Sequence, residues 1–130
     1  MTRPATLPAL LLALLPLVAV AQDVAWIDDP AYCAASIAAW EEREPMVLER
    51  HHMGNHYMGC DWAARLPDLE PGQRFTIPQA SCADNQAMPR SRFWTTEIRG
   101  AFSRDGRITL RIPGFRPARV TFRRCPGVGW

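Results

Sequence analysis

The chain has 130 residues, of which 48% are hydrophobic and 22% charged, and its formal net charge is +2. This length corresponds to one domain, and the hydrophobic fraction argues against a chain that is disordered throughout. A net charge so close to zero argues against a uniformly basic nucleic-acid-binding protein, so no nucleic-acid partner is expected.

Residues 1–21 have the pattern of a secretory signal peptide. Arg3 supplies the positive charge, residues 7–18 form an apolar stretch, and Ala19-Val20-Ala21 is a small-x-small cleavage site. The apolar stretch contains prolines and is shorter than the roughly 20 apolar residues that a membrane span needs. We therefore expect cleavage following Ala21 and a single mature domain, residues 22–130, without a membrane span. Its expected location is periplasmic or secreted.

The near-neutral total charge conceals two oppositely charged halves. Residues 22–88 carry four arginines against eleven acidic residues, a net charge of −7. Residues 89–130 carry ten arginines against two acidic residues, a net charge of +8. The basic residues are therefore concentrated in the C-terminal part of the mature domain.

The acidic half begins with a predicted helix. Asp29 before Pro30 is typical of an N-cap followed by the first helical residue. Proline at position 45 predicts the end of the helix, because the residue before a proline avoids helical backbone angles. Apolar residues at helical spacing lie between these limits, at Cys33, Ile37 and Trp40. We expect this apolar stripe to pack on strands.

A hairpin and one further strand are predicted after the helix. The ranges 46–53 and 56–63 flank Gly54-Asn55, which predicts a two-residue turn. Residues 74–77 predict a short strand before a loop that contains Cys82.

The basic half predicts an antiparallel meander. Apolar residues of one parity alternate with polar residues, which is typical of a sheet with one buried face. Arg104-Asp105-Gly106 predicts a three-residue turn with Gly106 in the left-handed region. This turn pairs Ser103 with Arg107 and places Phe102 opposite Ile108. The apolar positions are Trp94, Ile98, Phe102, Ile108, Leu110, Ile112, Val120 and Phe122.

The four cysteines predict two disulfides in an exported domain. The cysteines are Cys33, Cys60, Cys82 and Cys125. Three pairings are possible, and an up-and-down meander favours Cys33–Cys125 with Cys60–Cys82, because the last strand then ends opposite the Cys82 loop. The sequence has no C-x-x-C, which argues against a thioredoxin-like redox site or a zinc ribbon. Together these elements predict an α+β fold: an N-terminal helix packed on an antiparallel β-meander, or on a small partly closed barrel, of about six strands.

One cluster has the composition of a copper site: His51, Met53, His56 and Met58. A two-residue turn would place Met53 opposite His56 and His51 opposite Met58, on one face of the hairpin. Imidazole suits copper, and thioether selects Cu(I). The same face carries other apolar residues, so the alternative is that the methionines pack in the core. We expect no cofactor, with copper as the alternative.

Strand parity also predicts a basic surface, which we call the arginine face: Arg99, Arg107, Arg111, Arg119 and Arg123. Arginine binds carboxylate and phosphate groups in a bidentate manner, so this face could bind an anionic cell-envelope component or an acidic protein. The alternative is a solvated face, or one neutralised by acidic residues of the helix region at positions 41, 42 and 44.

No motif of known catalytic mechanics occurs in the sequence, which lacks G-x-S-x-G, H-E-x-x-H and a phosphate-binding glycine loop. We therefore predict no catalytic residues and no enzymatic activity. In size, export and cysteine use the chain is similar to small exported β-proteins with two disulfides, a group that includes bacterial periplasmic lysozyme inhibitors. No binding motif aligns, so no site residue is carried over. The expected function is binding of a protein or an anionic envelope component, with periplasmic copper binding as the alternative.

Overall fold

The computed structural model of the protein describes residues 25–86, 90–128 and 130, so the predicted signal peptide and its cleavage site lie outside the described residues. Within that part, eight antiparallel strands form a closed barrel in which each strand pairs with the next and the last pairs with the first. The strands are β1 (Trp26–Ile27), β2 (Val47–Leu48), β3 (His52–Gly54), β4 (Met58–Asp61), β5 (Arg74–Asp84), β6 (Arg92–Phe102), β7 (Arg107–Arg111) and β8 (Arg119–Arg124).

The closed barrel corrects the predicted α+β fold class, because the protein is mostly β. β1 and β2 have two residues each, and β3 has three. The range 46–53, predicted as one strand, is divided between β2 and β3, and β1 is too short to show alternation in the sequence. Pairing of β1 with β8 closes the ring and removes both sheet edges, which a partly closed barrel would keep.

The predicted helix is also corrected. It consists of a 3₁₀ turn (Pro30–Tyr32) and a separate helix α1 (Ile37–Arg43) of seven residues. The Asp29 side chain caps the turn and the Ser36 side chain caps α1, so a second helix start interrupts the predicted one. Neither piece has a buried residue, and the helix therefore does not form a layer of the core.

A small apolar cluster lies outside the barrel core, at the seam between β1 and β8. Ile27 and Cys125 are fully buried there. The Trp40 indole Nε1 donates a hydrogen bond to the backbone oxygen of Tyr32 at 2.9 Å, and this bond connects α1 to the 3₁₀ turn. The Cys33–Cys125 disulfide joins the turn to the end of β8. Partly buried side chains complete the cluster: Tyr32, Cys33, Trp40, Val47 and Val128.

The second disulfide, Cys60–Cys82, lies in the barrel interior, and both pairings agree with the prediction. Cys60 on β4 and Cys82 on β5 are direct cross-strand partners with Cα atoms 4.0 Å apart. β5 is longer than predicted because a register shift between Ile77 and Ala80 accommodates Pro78, which has no N–H for the ladder. Cys82 therefore lies on a strand and not in a loop.

The predicted arrangement of β6, β7 and β8 is confirmed. Phe102 pairs with Ile108, Ser103 N donates to Arg107 O at 2.8 Å, and Gly106 has a φ of +83°. The apolar parity of these strands faces the interior, where Ile98, Ile108, Leu110 and Phe122 are fully buried. The opposite parity faces outward, which decides the position of the basic surface.

Candidate functional site

Three arginines form a row across the outer wall of the barrel. Arg99 on β6 pairs with Arg111 on β7, and Arg111 pairs with Arg119 on β8. Directly opposed side chains have Cβ atoms roughly 5 Å apart, so the three guanidinium groups are near neighbours. Arg74 on β5 lies in the adjacent row, opposite Ala101.

These four arginines line a shallow depression of about 510 Å³, which we call the arginine depression: Arg74, Arg99, Arg111 and Arg119. Its remaining outward-facing residues are small, namely Thr76, Ala101 and Thr109. All four arginines are exposed. Long cationic side chains around small residues leave room for an anionic group to approach several guanidinium groups together.

Little negative charge compensates the depression. Arg99 Nε donates to Glu97 Oε1 at 3.0 Å, in a contact exposed to solvent. Among the described residues, no ion pair is formed by Arg74, Arg111 or Arg119. In that same part of the chain, no ion pair joins this surface to the acidic residues at positions 41, 42 and 44, which was one of the two alternatives considered from the sequence.

The predicted arginine face therefore separates into two parts. Arg107 and Arg123 are also cross-strand partners, but they lie four residues from Arg111 and Arg119 along β7 and β8, about 13 Å away. A pair of threonines, Thr109 and Thr121, lies between the two arginine pairs, with hydroxyl oxygens 3.1 Å apart. Arg107 forms an ion pair with Asp105. Hydrogen bonds from Arg107 and Ser103 hold the pKa of Asp105 below its ordinary value.

Arg74 was missed by the sequence reasoning. Alternation along the predicted strand at 74–77 already implies that the Arg74 side chain faces outward. Its place beside Arg99 depends on the register in which Thr76 pairs with Arg99, and no local pattern specifies that register.

The four residues predicted as a copper site are not brought together. Met53 and Met58 are buried in the barrel core, whereas His51 and His56 are exposed. His51 Nδ1 lies 3.3 Å from Trp62 O, and the His56 ring packs edge-on against its neighbouring tyrosine. No group of three or more His, Cys, Asp or Glu side chains in the described ranges is arranged to hold a metal ion. Copper binding stays a prediction that this arrangement does not support.

The predicted two-residue turn in this hairpin is wrong, because the side chain of Asn55 organises a different turn. Gly54 pairs with Gly59, so four residues separate this pair and Gly54 itself belongs to β3. The Asn55 side-chain oxygen accepts hydrogen bonds from Tyr57 N and Met58 N at 3.0 and 3.1 Å. This side-chain turn replaces the backbone turn that Gly-Asn suggested.

A histidine, an aspartate and a serine lie in one row on the outer wall of β3, β4 and β5. His52 pairs with Asp61, and Asp61 pairs with Ser81. His52 Nδ1 and Asp61 Oδ1 are 2.7 Å apart. In a Ser-His-Asp triad the histidine stands between the serine and the acid, whereas here the acid stands in the middle. The row therefore lacks the order needed for histidine to accept the serine proton, and no catalytic role is assigned to it.

A cavity of about 450 Å³ opens at one end of the barrel. Up-and-down topology collects the β2–β3, β4–β5 and β6–β7 connections at that end, together with the start of β1 and the end of β8. We call this cavity the barrel mouth. Its principal lining residues are Trp26, Arg50, Phe102, Arg124 and Trp130.

Aromatic rings and guanidinium groups pack closely at the barrel mouth. The Trp26 ring meets Phe102 and Trp130 edge-on, with centroid distances of 5.5 and 6.2 Å. The Arg50 guanidinium lies 4.7 Å from the Trp130 centroid, and that of Arg124 lies 5.9 Å from the Trp26 centroid. The sequence reasoning did not anticipate this site, since its residues come from distant parts of the chain.

The helices in the described ranges include none long and apolar enough to cross a membrane. No protein-family model, curated protein or solved structure matches the chain.

Proposed function

We propose that the protein acts by binding rather than by catalysis, and that the arginine depression binds a partner with closely spaced phosphate or carboxylate groups. Such groups occur on anionic envelope components and on acidic proteins. The two disulfides fit a small, exported, disulfide-bonded protein, which would meet such partners outside the cytoplasm.

The cross-strand row Arg99–Arg111–Arg119 is the observation that carries this proposal. Like charges placed directly opposite one another destabilise a sheet. The row therefore does not help the barrel to fold, and the sheet would be more stable with neutral residues there. An anionic partner removes the repulsion, because each guanidinium can donate two parallel hydrogen bonds to one carboxylate or phosphate.

The shape of the depression favours an extended or multivalent anion over a small enclosed molecule. All four arginines are exposed, and the outward residues between them are small. The ion pair between Arg99 and Glu97 is exposed to solvent, where such pairs contribute little to stability. An acidic group of the partner can therefore compete with Glu97 for Arg99.

The test compares two arginine pairs on the same two strands. Polyphosphate and poly-glutamate serve as probes, with binding followed by calorimetry at low and at moderate salt. Arg111→Glu with Arg119→Glu is expected to weaken binding at least about tenfold, a loss that corresponds to charge-assisted hydrogen bonds. The matched control is Arg107→Glu with Arg123→Glu, which makes the same charge change outside the depression.

A clearly smaller effect of the control pair supports the depression as the site. Equal weakening by both pairs would show that diffuse positive charge, and not this site, attracts the probes. Absence of saturable binding by the native protein to either probe would overturn the proposal.

A further inference from the structure

The barrel mouth contains a buried donor without a partner. Trp26 is only 4% exposed, and its indole Nε1 has no hydrogen-bond acceptor among the described residues. Most buried polar groups in folded proteins are hydrogen-bonded, and an unpaired one costs free energy. Trp26 also lines the cavity. A ligand that supplies an acceptor atom would remove this cost.

The rest of the mouth combines aromatic and aliphatic side chains with charged groups, one of which is an uncompensated cation. Arg50 is neutralised, since it donates to Asp68 Oδ1 at 2.7 Å and to Leu66 O at 2.8 Å. The hydrogen bond and charge of Arg50 also hold the pKa of Asp68 below its ordinary value, so this pair persists at neutral pH. Arg124, by contrast, forms no ion pair within the described part of the chain, and its weak contact is with Val128 O at 3.4 Å.

We propose that the barrel mouth binds an amphipathic organic anion, with an apolar body and one carboxylate or sulfonate group. The apolar body packs against Trp26, Phe102 and Trp130. The acidic group pairs with Arg124 and accepts the hydrogen bond of Trp26 Nε1. The Arg124 guanidinium lies 5.9 Å from the Trp26 ring centroid, so the two side chains border the same part of the cavity.

The dimensions of the mouth agree with this ligand class. Its volume of about 450 Å³ falls within the range of small-molecule sites. The site shares no residue with the arginine depression, which lies on the outer wall. The two proposals therefore stand or fall separately.

The probe is 1-anilinonaphthalene-8-sulfonate, a fluorescent organic anion, and its binding also changes the fluorescence of tryptophans in the mouth. We expect saturable binding of one molecule per chain. Decanoate is expected to displace the probe, and decan-1-ol, which has the same chain length without the charge, to displace it at least about tenfold less well.

Two variants and a matched control locate the site. Arg124→Gln is expected to weaken probe binding about tenfold or more, whereas Arg123→Gln, the neighbouring arginine on the outer wall, changes it less than about threefold. Trp26→Phe keeps an aromatic ring and removes the N–H, and it is expected to weaken binding severalfold with a native circular dichroism spectrum.

Several results would overturn the proposal. These are absence of saturable probe binding by the native protein, equal displacement by decanoate and decan-1-ol, and equal effects of Arg124→Gln and Arg123→Gln. Changing Arg111 and Arg119 to glutamate serves as a further control. Unaltered probe binding by that variant supports a separate site at the mouth, and a loss as large as that of Arg124→Gln would refute it.

Discussion

Arg111 on β7 and Arg119 on β8 are direct cross-strand partners on the outer wall of the barrel, and Arg111 has a second arginine, Arg99, on its other side. The central residue of this row therefore has a like charge on both neighbouring strands. This arrangement should make the row costly to the folded state and sensitive to salt.

Replacing Arg111 by glutamine is expected to stabilise the protein. Removing the central charge relieves repulsion from both sides, worth about 0.2–1 kcal/mol in the free energy of unfolding at low ionic strength. The gain should shrink as salt is added, because salt screens exposed charges. Urea denaturation at low and high salt measures it. Arg104→Gln, in the β6–β7 turn, is the control, and a gain independent of salt would contradict this explanation.

Removing the Cys33–Cys125 disulfide should loosen the barrel seam. The two-residue strand β1 closes the ring by pairing with β8, and just beyond this pairing Cys125 N donates to Ala25 O at 2.8 Å. The disulfide holds this region from outside the barrel. Changing both cysteines to alanine is expected to cost about 2–4 kcal/mol of stability. It should also speed hydrogen exchange at the position 125 amide.

The matched control for the seam replaces Cys60 and Cys82 by alanine. This pair lies between adjacent strands in the barrel interior, away from the β1–β8 pairing. Loss of this disulfide is expected to lower global stability. When the two variants are compared at equal stability, however, the position 125 amide should exchange more slowly in this variant than in the one that lacks Cys33–Cys125. Identical exchange in the two variants would show that the external disulfide has no special role at the seam.

The charge on Asp28 is expected to work against folding. Burial raises the pKa of this carboxyl above its ordinary value of 3.8, although the hydrogen bond from Met46 N at 3.0 Å opposes the shift. The folded-state pKa is higher than the unfolded one, so ionisation of Asp28 lowers the free energy of unfolding. This loss is absent below pH 3.8 and complete above the folded-state pKa.

Asp28→Asn keeps an acceptor for Met46 N and removes the charge. We therefore expect it to raise the free energy of unfolding at pH 7, by less than about 1 kcal/mol because solvent screens the site. The gain should disappear as the pH falls to 3.8. Denaturation at both pH values measures the difference. Asp28→Ala removes the acceptor and should destabilise at both, whereas a gain for Asp28→Asn that is unchanged at low pH would refute the account.

Gly100 is expected to be sensitive to any side chain. It is the cross-strand partner of Phe75, and a Cβ atom at this position would lie 2.1 Å from Phe75 Cζ. Gly100→Ala must displace the ring, at a cost of about 1–3 kcal/mol. In a Phe75→Ala background the same substitution should cost much less. A double-mutant cycle by urea denaturation measures the coupling, and equal costs in both backgrounds would rule out the ring contact as the cause.

Part of the barrel could be predicted because its patterns are local. β6, β7 and β8 are long enough for alternation to separate inward from outward residues, and Gly106 identifies the turn that sets the β6–β7 register. The outward direction of Arg99, Arg111 and Arg119 follows from the same parity. The even number of cysteines predicted two disulfides, and the meander favoured the pairing that the structure has.

Other features were missed because side-chain hydrogen bonds within a segment start a helix or form a turn that the spacing of apolar residues does not show. The Cys33–Trp40 spacing is helical, yet Ser36 caps a new helix within it, and the segment lies outside the barrel. Gly54-Asn55 predicts a two-residue turn, whereas the Asn55 side chain organises a longer turn that follows Gly54. His56 therefore lies in the turn, and His51 lies before β3 begins, so neither histidine accompanies Met53 and Met58 into the interior.

The sequence by itself determined which face of the long strands is buried, how many disulfides form and where positive charge collects. Only the tertiary structure decided that the sheet closes, that Arg74 lines the arginine depression, and that Trp26, Phe102 and Trp130 meet at one mouth. The physical reason is the range of the interactions. Alternation and turn chemistry act over a few residues, whereas β1 pairs with β8 across nearly the whole domain. That closure depends on burial summed over all strands, which no local segment specifies.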